Sequence, residues 1–409
     1  MPRSLAKRLS VVAPSVTLAM NARAQELRAR GVDVFAFGVG EPDFEPPLHV
    51  KEAAKRVIDS GASKYTAVTG IPTLKQAICD ATTRRRGWTP TPNQVCVSVG
   101  AKHALFNLAV TLYDPGDEVV IPAPYWVSYP EQVRIVGAVP VIVETREEDG
   151  WRMSPEQLAK AMTPRTKAVV LCTPSNPTGT AYDAAQMRAL LDVIRKNDAW
   201  LIIDEIYAEL VYDGFVHVSA AKLAPDLLDR IIIVDGVSKT YAMTGWRIGW
   251  SIAPPHVTAM LDMVQGQSTT NATAVAQHAA LAALEGSLDG LLAMRTTFQK
   301  RRDVMVAGLN AIDGVTCRKP EGAFYAFADC RGLYGIPWRG RVLANDEDVA
   351  YWLLERAHVA AVPGGAFGAP GYVRFSYAVS EERIVAGLAA MQAAVASGWS
   401  EDTTHVASP

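Results

Sequence analysis

Lys239 closes the run Asp235-Gly236-Val237-Ser238-Lys239, directly after the apolar stretch Arg230–Val234. A lysine held beside a sheet can form an imine with an aldehyde. Ser238 is a natural phosphate ligand. Arg247, beyond Thr244-Gly245-Trp246, offers a planar fork to the same phosphate. Asp204 ends a second apolar run, Trp200–Ile203. An acid there is costly without a partner, and a ring N–H⁺ is one such partner. Tyr207 lies three residues on and can face the same site. Asn176 sits between Pro174 and Pro177, which hold its amide rigidly after a third run, Ala168–Cys172. After Val95–Val99, Gly100-Ala101-Lys102 opens the apolar, helix-like stretch His103–Leu112, where small residues expose backbone N–H groups to an anion. Singly, each feature has a plain reading as a turn or a solvated lysine.

The positions of these residues come from the elements around them. Val95–Val99, Glu118–Pro122, Ala168–Cys172, Trp200–Ile203, Arg230–Val234 and Ile248–Ile252 read as buried strands, with amphipathic stretches such as Ala184–Asn197 between several of them. That alternation predicts an α/β domain with a mostly parallel sheet. Ligands of such sheets bind past the carboxyl ends of the strands, where these residues fall. A rigid amide, a strand-end acid, a tyrosine, a lysine and an arginine on one edge are the set that pyridoxal phosphate asks for. The C-terminal third changes character. Leu291–Asn310 reads as a long helix. Strand-like Gly322–Ala328, helix-like Glu347–Ala357, apolar Val359–Val362, strand-like Tyr372–Ala378 and a helix near Glu381–Ala394 then suggest a smaller α+β unit.

Composition narrows the function classes. The 409 residues are 49% hydrophobic, enough for one large core or two ordinary ones. A net charge of −2 gives no basic excess for nucleic acid or an anionic membrane. Five scattered cysteines, none in C-x-x-C spacing, point to a reducing compartment and a cytoplasmic protein rather than a disulfide framework. Seven histidines without a cluster make a catalytic metal unexpected, so the metal set is none. No apolar run approaches the roughly 18 residues that span a bilayer. Arg3, Lys7 and Arg8 ahead of a mild apolar stretch fit an arm packing on a partner subunit, with a transit peptide as the alternative.

The motifs GEPDF (40–44), KYT (64–66), GAKHALFN (100–107), PYWVSYPE (124–131), SNPTG (175–179), DEIY (204–207), SKTYAMTGWRIG (238–249), GAFY (322–325) and RFSYAVS (374–380) occur in this order. In this the chain resembles the fold-type I, class I pyridoxal-phosphate-dependent aminotransferases, closest to the bacterial aspartate and prephenate aminotransferase subgroup. The resemblance implies an aspartate-aminotransferase-like fold, with a seven-stranded-type, mostly parallel sheet in a large cofactor domain (48–294). A smaller α+β domain is expected from 17–47 and 295–398, with an arm (1–16) and a tail (399–409). It implies that Lys239 carries the cofactor and moves the substrate proton, with Asp204 at the pyridine nitrogen and Asn176 and Tyr207 at the phenolic oxygen. Trp126 would stack on the ring. Gly100, Ala101, the Lys102 backbone, Ser238 and Arg247 would hold the phosphate, with Tyr65 supplied by the neighbouring subunit of a homodimer. Arg374 would grip the substrate α-carboxylate beside Gly40.

In that subgroup Lys102 resembles a lysine directed at the distal carboxylate of a dicarboxylic substrate; a phosphate or solvent lysine is the other reading. Ser15 and Thr17 resemble a lid segment, or else cap a helix. Ala13, Val39 and Pro46 depart from the pattern, as does a longer stretch between Cys330 and Asn345 that could modify substrate access. The expected function is transfer of an amino group from aspartate or glutamate to a 2-oxo acid, ping-pong through pyridoxamine phosphate, as in aspartate transaminase (EC 2.6.1.1). Prephenate, aromatic or neutral amino acids are the alternative substrates, and a lyase or decarboxylase the alternative reaction.

Overall fold

A computed structural model describes residues 6, 9–12, 16–61 and 64–399. The first long element is helix α1 (Val16–Ala29), whose Met20 and Ala24 pack on Ala350 and Leu354 far along the chain. Helix α2 (Pro72–Arg86) starts on a proline at its first position and stops at Gly87, which adopts φ 71°.

Seven strands then build one sheet: β1 (Val95–Ser98), β2 (Glu118–Ala123), β3 (Val139–Glu144), β4 (Thr166–Cys172), β5 (Trp200–Asp204), β6 (Ile231–Gly236) and β7 (Gly249–Ile252). Their order is β1-β7-β6-β5-β4-β2-β3. Only β7 runs antiparallel to its neighbours. The interior strands read as unbroken apolar runs because helices cover both faces. On β5, Leu201 and Ile203 face one core and Ile202 the other; on β6, Ile231 and Ile233 face the first and Ile232 and Val234 the second. Burying each such side chain contributes about 1.5–3 kcal/mol, which fixes the register. Residues Cys172, Asp204 and Val234 are level across three strands, so the exits of β4, β5 and β6 share one edge. Helix α3 (Ala101–Leu112) leaves β1 at that edge.

Helix α4 (Asp289–Asn310) leads into a second core. There β8 (Thr316–Cys317), β9 (Tyr325–Asp329), β10 (Val362–Pro363) and β11 (Tyr372–Ser376) form an antiparallel sheet in the order β10-β11-β9-β8. Helices α5 (Asp346–Arg356) and α6 (Glu381–Gly398) pack on it. The long Cys330–Asn345 stretch is ordered. It carries a short hairpin, Pro337–Trp338 paired with Arg341–Val342, with Trp338 buried. Its arginines bond Asp329, Glu355 and Asp348, all in this second unit rather than at the edge of the large sheet.

Strand β3 has no counterpart among the runs expected from the sequence. It is one of the sheet's two edge strands and, unlike β1 at the other edge, leaves Val139, Ile142 and Glu144 exposed, so it lacks the unbroken burial that marks the others. Among the described residues, no helix is long and apolar enough to cross a membrane, and no cluster of His, Cys, Asp or Glu could hold a metal.

Candidate active site

The exits of β4, β5 and β6 bring Asn176, Asp204 and Lys239 to one edge, and the second unit closes over it. Lys239 sits in the short helix Val237–Thr240 and donates to the Gly40 carbonyl at 2.6 Å. Its ammonium lies 5.7 Å from the Phe324 ring centre and 6.0 Å from that of Tyr207. Desolvation by burial is the main reason its pKa falls to about 8. Glu41 opposes the shift, while Arg247 and Arg374 add to it. Glu41 is exposed and accepts from Thr244 Oγ1 at 2.9 Å.

Asp204 is 4% exposed. Burial raises its pKa to about 6, against two stabilising contacts: the Tyr129 hydroxyl donates to one carboxylate oxygen at 2.8 Å and the Ile206 N–H to the other at 3.1 Å. Tyr129 in turn meets Trp126 edge to face, with ring centres 5.3 Å apart. The Lys102 ammonium sits 4.8 Å from the centre of the Trp126 ring. Partial desolvation, then the charge of Arg247, hold that ammonium below lysine's usual range.

Arg374, on β11, is fully interior. Burial pulls even its guanidinium downward. It donates to Asn176 Oδ1 at 2.8 Å and to the Gly38 carbonyl at 2.9 Å, and its plane lies over the Tyr325 ring at 4.5 Å. Its Nε is buried without a partner. The Tyr207 and Tyr325 hydroxyls are 2.9 Å apart. Arg247 takes φ 57° and bonds the carbonyls of Thr244 and Val99. Its guanidinium fills the space beside Gly100, where a side chain would collide with it. Gly100, at φ 83°, turns the chain into α3, whose first N–H groups point to the same place. Ser238 is buried next to Lys239.

The structure therefore brings together Gly40, Gly100, Ala101, Lys102, Trp126, Asn176, Asp204, Tyr207, Ser238, Lys239, Arg247 and Arg374. Tyr65 is not among them. It is 88% exposed on its own segment. Thr17 falls in the first turn of α1, and Ser15 lies outside the described residues. Sequence reasoning missed Tyr129, Tyr325, Gly38 and Glu41. Tyr129 stands three residues after Trp126, and Tyr325 closes GAFY, so a motif marked each of these without naming its partner.

The family described as "Aminotransferase class I and II" matches residues 32–391. The chain belongs to this aminotransferase family. It is 46% identical over 391 residues to the aspartate/prephenate aminotransferase of Cereibacter sphaeroides, covering 95% of this chain and 98% of that one. It is 46% identical to the aspartate aminotransferase of Geobacillus stearothermophilus, covering 92% and 95%. The solved aspartate aminotransferase of Rhizobium meliloti superposes with a TM-score of 0.93 at 44% identity, over 97% and 99% of the two chains. That of Thermus thermophilus with maleate superposes at 0.90 and 42%, over 96% and 100%.

Aminotransferases of this family use pyridoxal 5′-phosphate, and the residues present fit it. A buried carboxylate that already accepts two hydrogen bonds can pair with a ring N–H⁺. An amine with a lowered pKa suits an aldehyde. An N-terminal helix turn beside a guanidinium suits a phosphate.

Proposed function

We propose that this chain transfers an amino group between aspartate or glutamate and a 2-oxo acid, with pyridoxal phosphate carried on Lys239. One observation carries the reaction: the Lys239 amine shares a sheet edge with the buried Asp204 and bonds the Gly40 carbonyl of the loop whose Gly38 carbonyl takes Arg374. When bound, the cofactor supplies an electron-withdrawing ring that stabilises charge at the substrate α-carbon. The chain's own residues do the rest. Asp204 keeps the ring nitrogen protonated, because opposite charges favour both ionised forms. Asn176 and Tyr207 would hydrogen-bond the phenolic oxygen, and Trp126 would pack on the ring. Ala101 and Lys102 N–H groups after Gly100, with Ser238 and Arg247, would hold the phosphate. Lys239, whose pKa burial lowers to about 8, would hold and move the proton at the substrate α-carbon.

Arg374 takes the substrate α-carboxylate in a bidentate clamp beside Gly40, and its unpartnered Nε provides a further donor. Lys102, over Trp126, takes the distal carboxylate. The similar Thermus thermophilus enzyme was solved with maleate, a dicarboxylate. Ser15 and Thr17 belong to the segment that closes over substrate. The relatives named above are all aminotransferases, which favours this reaction over a lyase or decarboxylase.

The active form in this reading is a homodimer in the cytoplasm. Its supports are the outward Tyr65, the exposed Met260 and Met263 on one helix, and five free cysteines. Residues 48–294 form the large domain. Residues 17–47 and 295–398 form the small one, although position 294 falls inside α4. Residues 1–16 are the arm and 399–409 the tail.

Mixing the cofactor-loaded protein with single amino acids tests the proposal. Aspartate and glutamate should shift the visible absorption within the dead time of a manual assay. Lys102→Ala should weaken both by about 10-fold or more, the worth of one charge-assisted contact. Conversion led by aromatic or neutral amino acids and indifferent to Lys102→Ala would overturn the dicarboxylate assignment.

A further inference from the structure

Behind the site, on the opposite face of the sheet, lies a buried charge cluster that the reaction does not use. Side chains alternate along a strand, so Glu205, next to Asp204, belongs to the other face. That face is the one packed by Leu201 and Ile203, and on β6 by Ile231, Ile233 and, in sequence, Asp235. Helix α2 packs on it through Leu74, Ala77, Ile78 and Ala81, and its last residue is Arg86.

The Arg86 side chain is 9% exposed and contacts three carboxylates. Its Nε bonds Glu205 at 3.2 Å, one terminal nitrogen bonds Glu209 at 2.6 Å, and the other reaches Asp235 at 3.4 Å. Asp235 also accepts the Gly236 N–H at 2.7 Å, at the turn that leads to Lys239. The Glu205 N–H donates to the Val234 carbonyl at 2.8 Å. One guanidinium therefore joins the exit of β5, which presents Asp204, to the exit of β6, which presents Lys239. On the far side of Glu205 its Oε1 is 3.5 Å from His217 Nε2. That oxygen, both His217 ring nitrogens and the Ser219 hydroxyl are buried without hydrogen-bond partners.

Replacing a buried ion pair with apolar groups is often neutral or stabilising, so fold stability alone is a poor reason for this cluster. Setting the geometry of two strand exits is a better one. Catalytic groups tolerate only about 0.5 Å of error and need an outer layer to hold them. We propose that Arg86 is a positioning residue for Lys239 and Asp204, with Glu205, Glu209 and Asp235 as its anchors. This inference rests on the aminotransferase reading. Its claim is that the outer layer on the back of the sheet sets cofactor affinity and turnover but not amino-acid binding, because Arg374 and Lys102 stand on other elements.

The test compares wild type with Arg86→Lys, Arg86→Met and Glu209→Gln. Glu209→Gln covers the case in which Arg86→Met fails to fold. Three quantities are measured: the dissociation constant of pyridoxal phosphate for the cofactor-free protein, kcat and KM for aspartate, and the melting temperature. Arg86→Met should weaken cofactor binding and lower kcat by about 10- to 100-fold each, with KM within about twofold. Arg86→Lys, which keeps the charge but not the fork, should recover part of both losses. Glu209→Gln should shift both in the same direction by about threefold. A lower melting temperature with cofactor affinity, kcat and KM all unchanged would make the cluster a structural staple and overturn the inference. That result leaves the aminotransferase reading intact, whereas a wild type that neither binds the cofactor nor responds to amino acids overturns both.

Discussion

A lysine that must act as a base cannot also be a comfortable cation, and Lys239 shows the cost. Its pKa of about 8 lies below the 10.5 of an unhindered lysine. The unfolded chain therefore binds the proton more tightly. Between about pH 8 and 10.5 the unfolded state carries more protons, so stability of the cofactor-free protein rises with pH across that window and the cost is full below it. Lys239→Met should thus make the cofactor-free protein more stable at pH 7, by roughly 1–3 kcal/mol, with the gap closing above about pH 10. The same variant should lose transaminase activity by about 10²–10⁴-fold. Urea melts at two pH values and a steady-state assay read the two effects, and a variant less stable than wild type at pH 7 would refute the first. Tyr129 acts with the opposite sign on Asp204. Its hydroxyl favours the carboxylate, so Tyr129→Phe should raise the Asp204 pKa further above the usual aspartate value. The acid limb of the kcat profile should move to higher pH by about half a unit to one unit. An unmoved limb would show that Tyr129 only packs against Trp126.

At the scale of elements, the turn from β1 into α3 is the tightest constraint on the phosphate end. Gly100 combines φ 83° with ψ 161°, a region open almost only to glycine, and Arg247 occupies the space a side chain would need. Gly100→Ala should cost about 1–3 kcal/mol and displace Arg247. Its signature is weaker binding of both pyridoxal phosphate and inorganic phosphate, measured on the cofactor-free protein, with Arg374-dependent substrate affinity preserved. Elements of this kind were legible in the sequence for a physical reason. Parallel strands buried on both faces are written as apolar runs, and the residues just past them fall at one edge by topology. Strand β3 was not legible because it keeps only part of that burial, unlike β1, which is buried throughout at the opposite edge. The partners of Asp204 and Arg374 were not legible either. Tyr129 reaches Asp204 from 75 positions away and Gly38 reaches Arg374 from 336. Contacts at such separations are products of the assembled fold, and no local spacing encodes them. Arg86 shows the same limit. It closes a helix, and the carboxylates it meets lie 119 to 149 residues on.

For the whole molecule, the loop that begins at Gly38 joins the two cores at the site. Its Gly38 and Gly40 carbonyls receive Arg374 from the small unit and Lys239 from the large one. Arg301 of α4 fastens the same loop, pairing with Asp43 at 2.7 Å and lying over the Phe44 ring at 5.3 Å. In the proposed homodimer, the other end of the site comes from a segment that points away from its own chain's site. Tyr65 is exposed, and the residues after it are bonded to the large unit: Gln277 bonds Thr66 Oγ1 and the Ile71 N–H, and Gln265 bonds the Val68 carbonyl. If this outward side chain completes the partner's site in the proposed homodimer, it has a genetic consequence. Two broken alleles of this chain should repair one another. A Lys239→Ala subunit still offers Tyr65, and a Tyr65→Ala subunit still offers Lys239. A mixed pair then contains one intact site and one doubly damaged site. Unfolding and refolding the two variants together at equal amounts should recover about a quarter of wild-type activity from parents that have little, since half the pairs are mixed and each has one good site of two. If Tyr65 serves its own chain, or no chain at all, the mixture will be no better than the average of its parents.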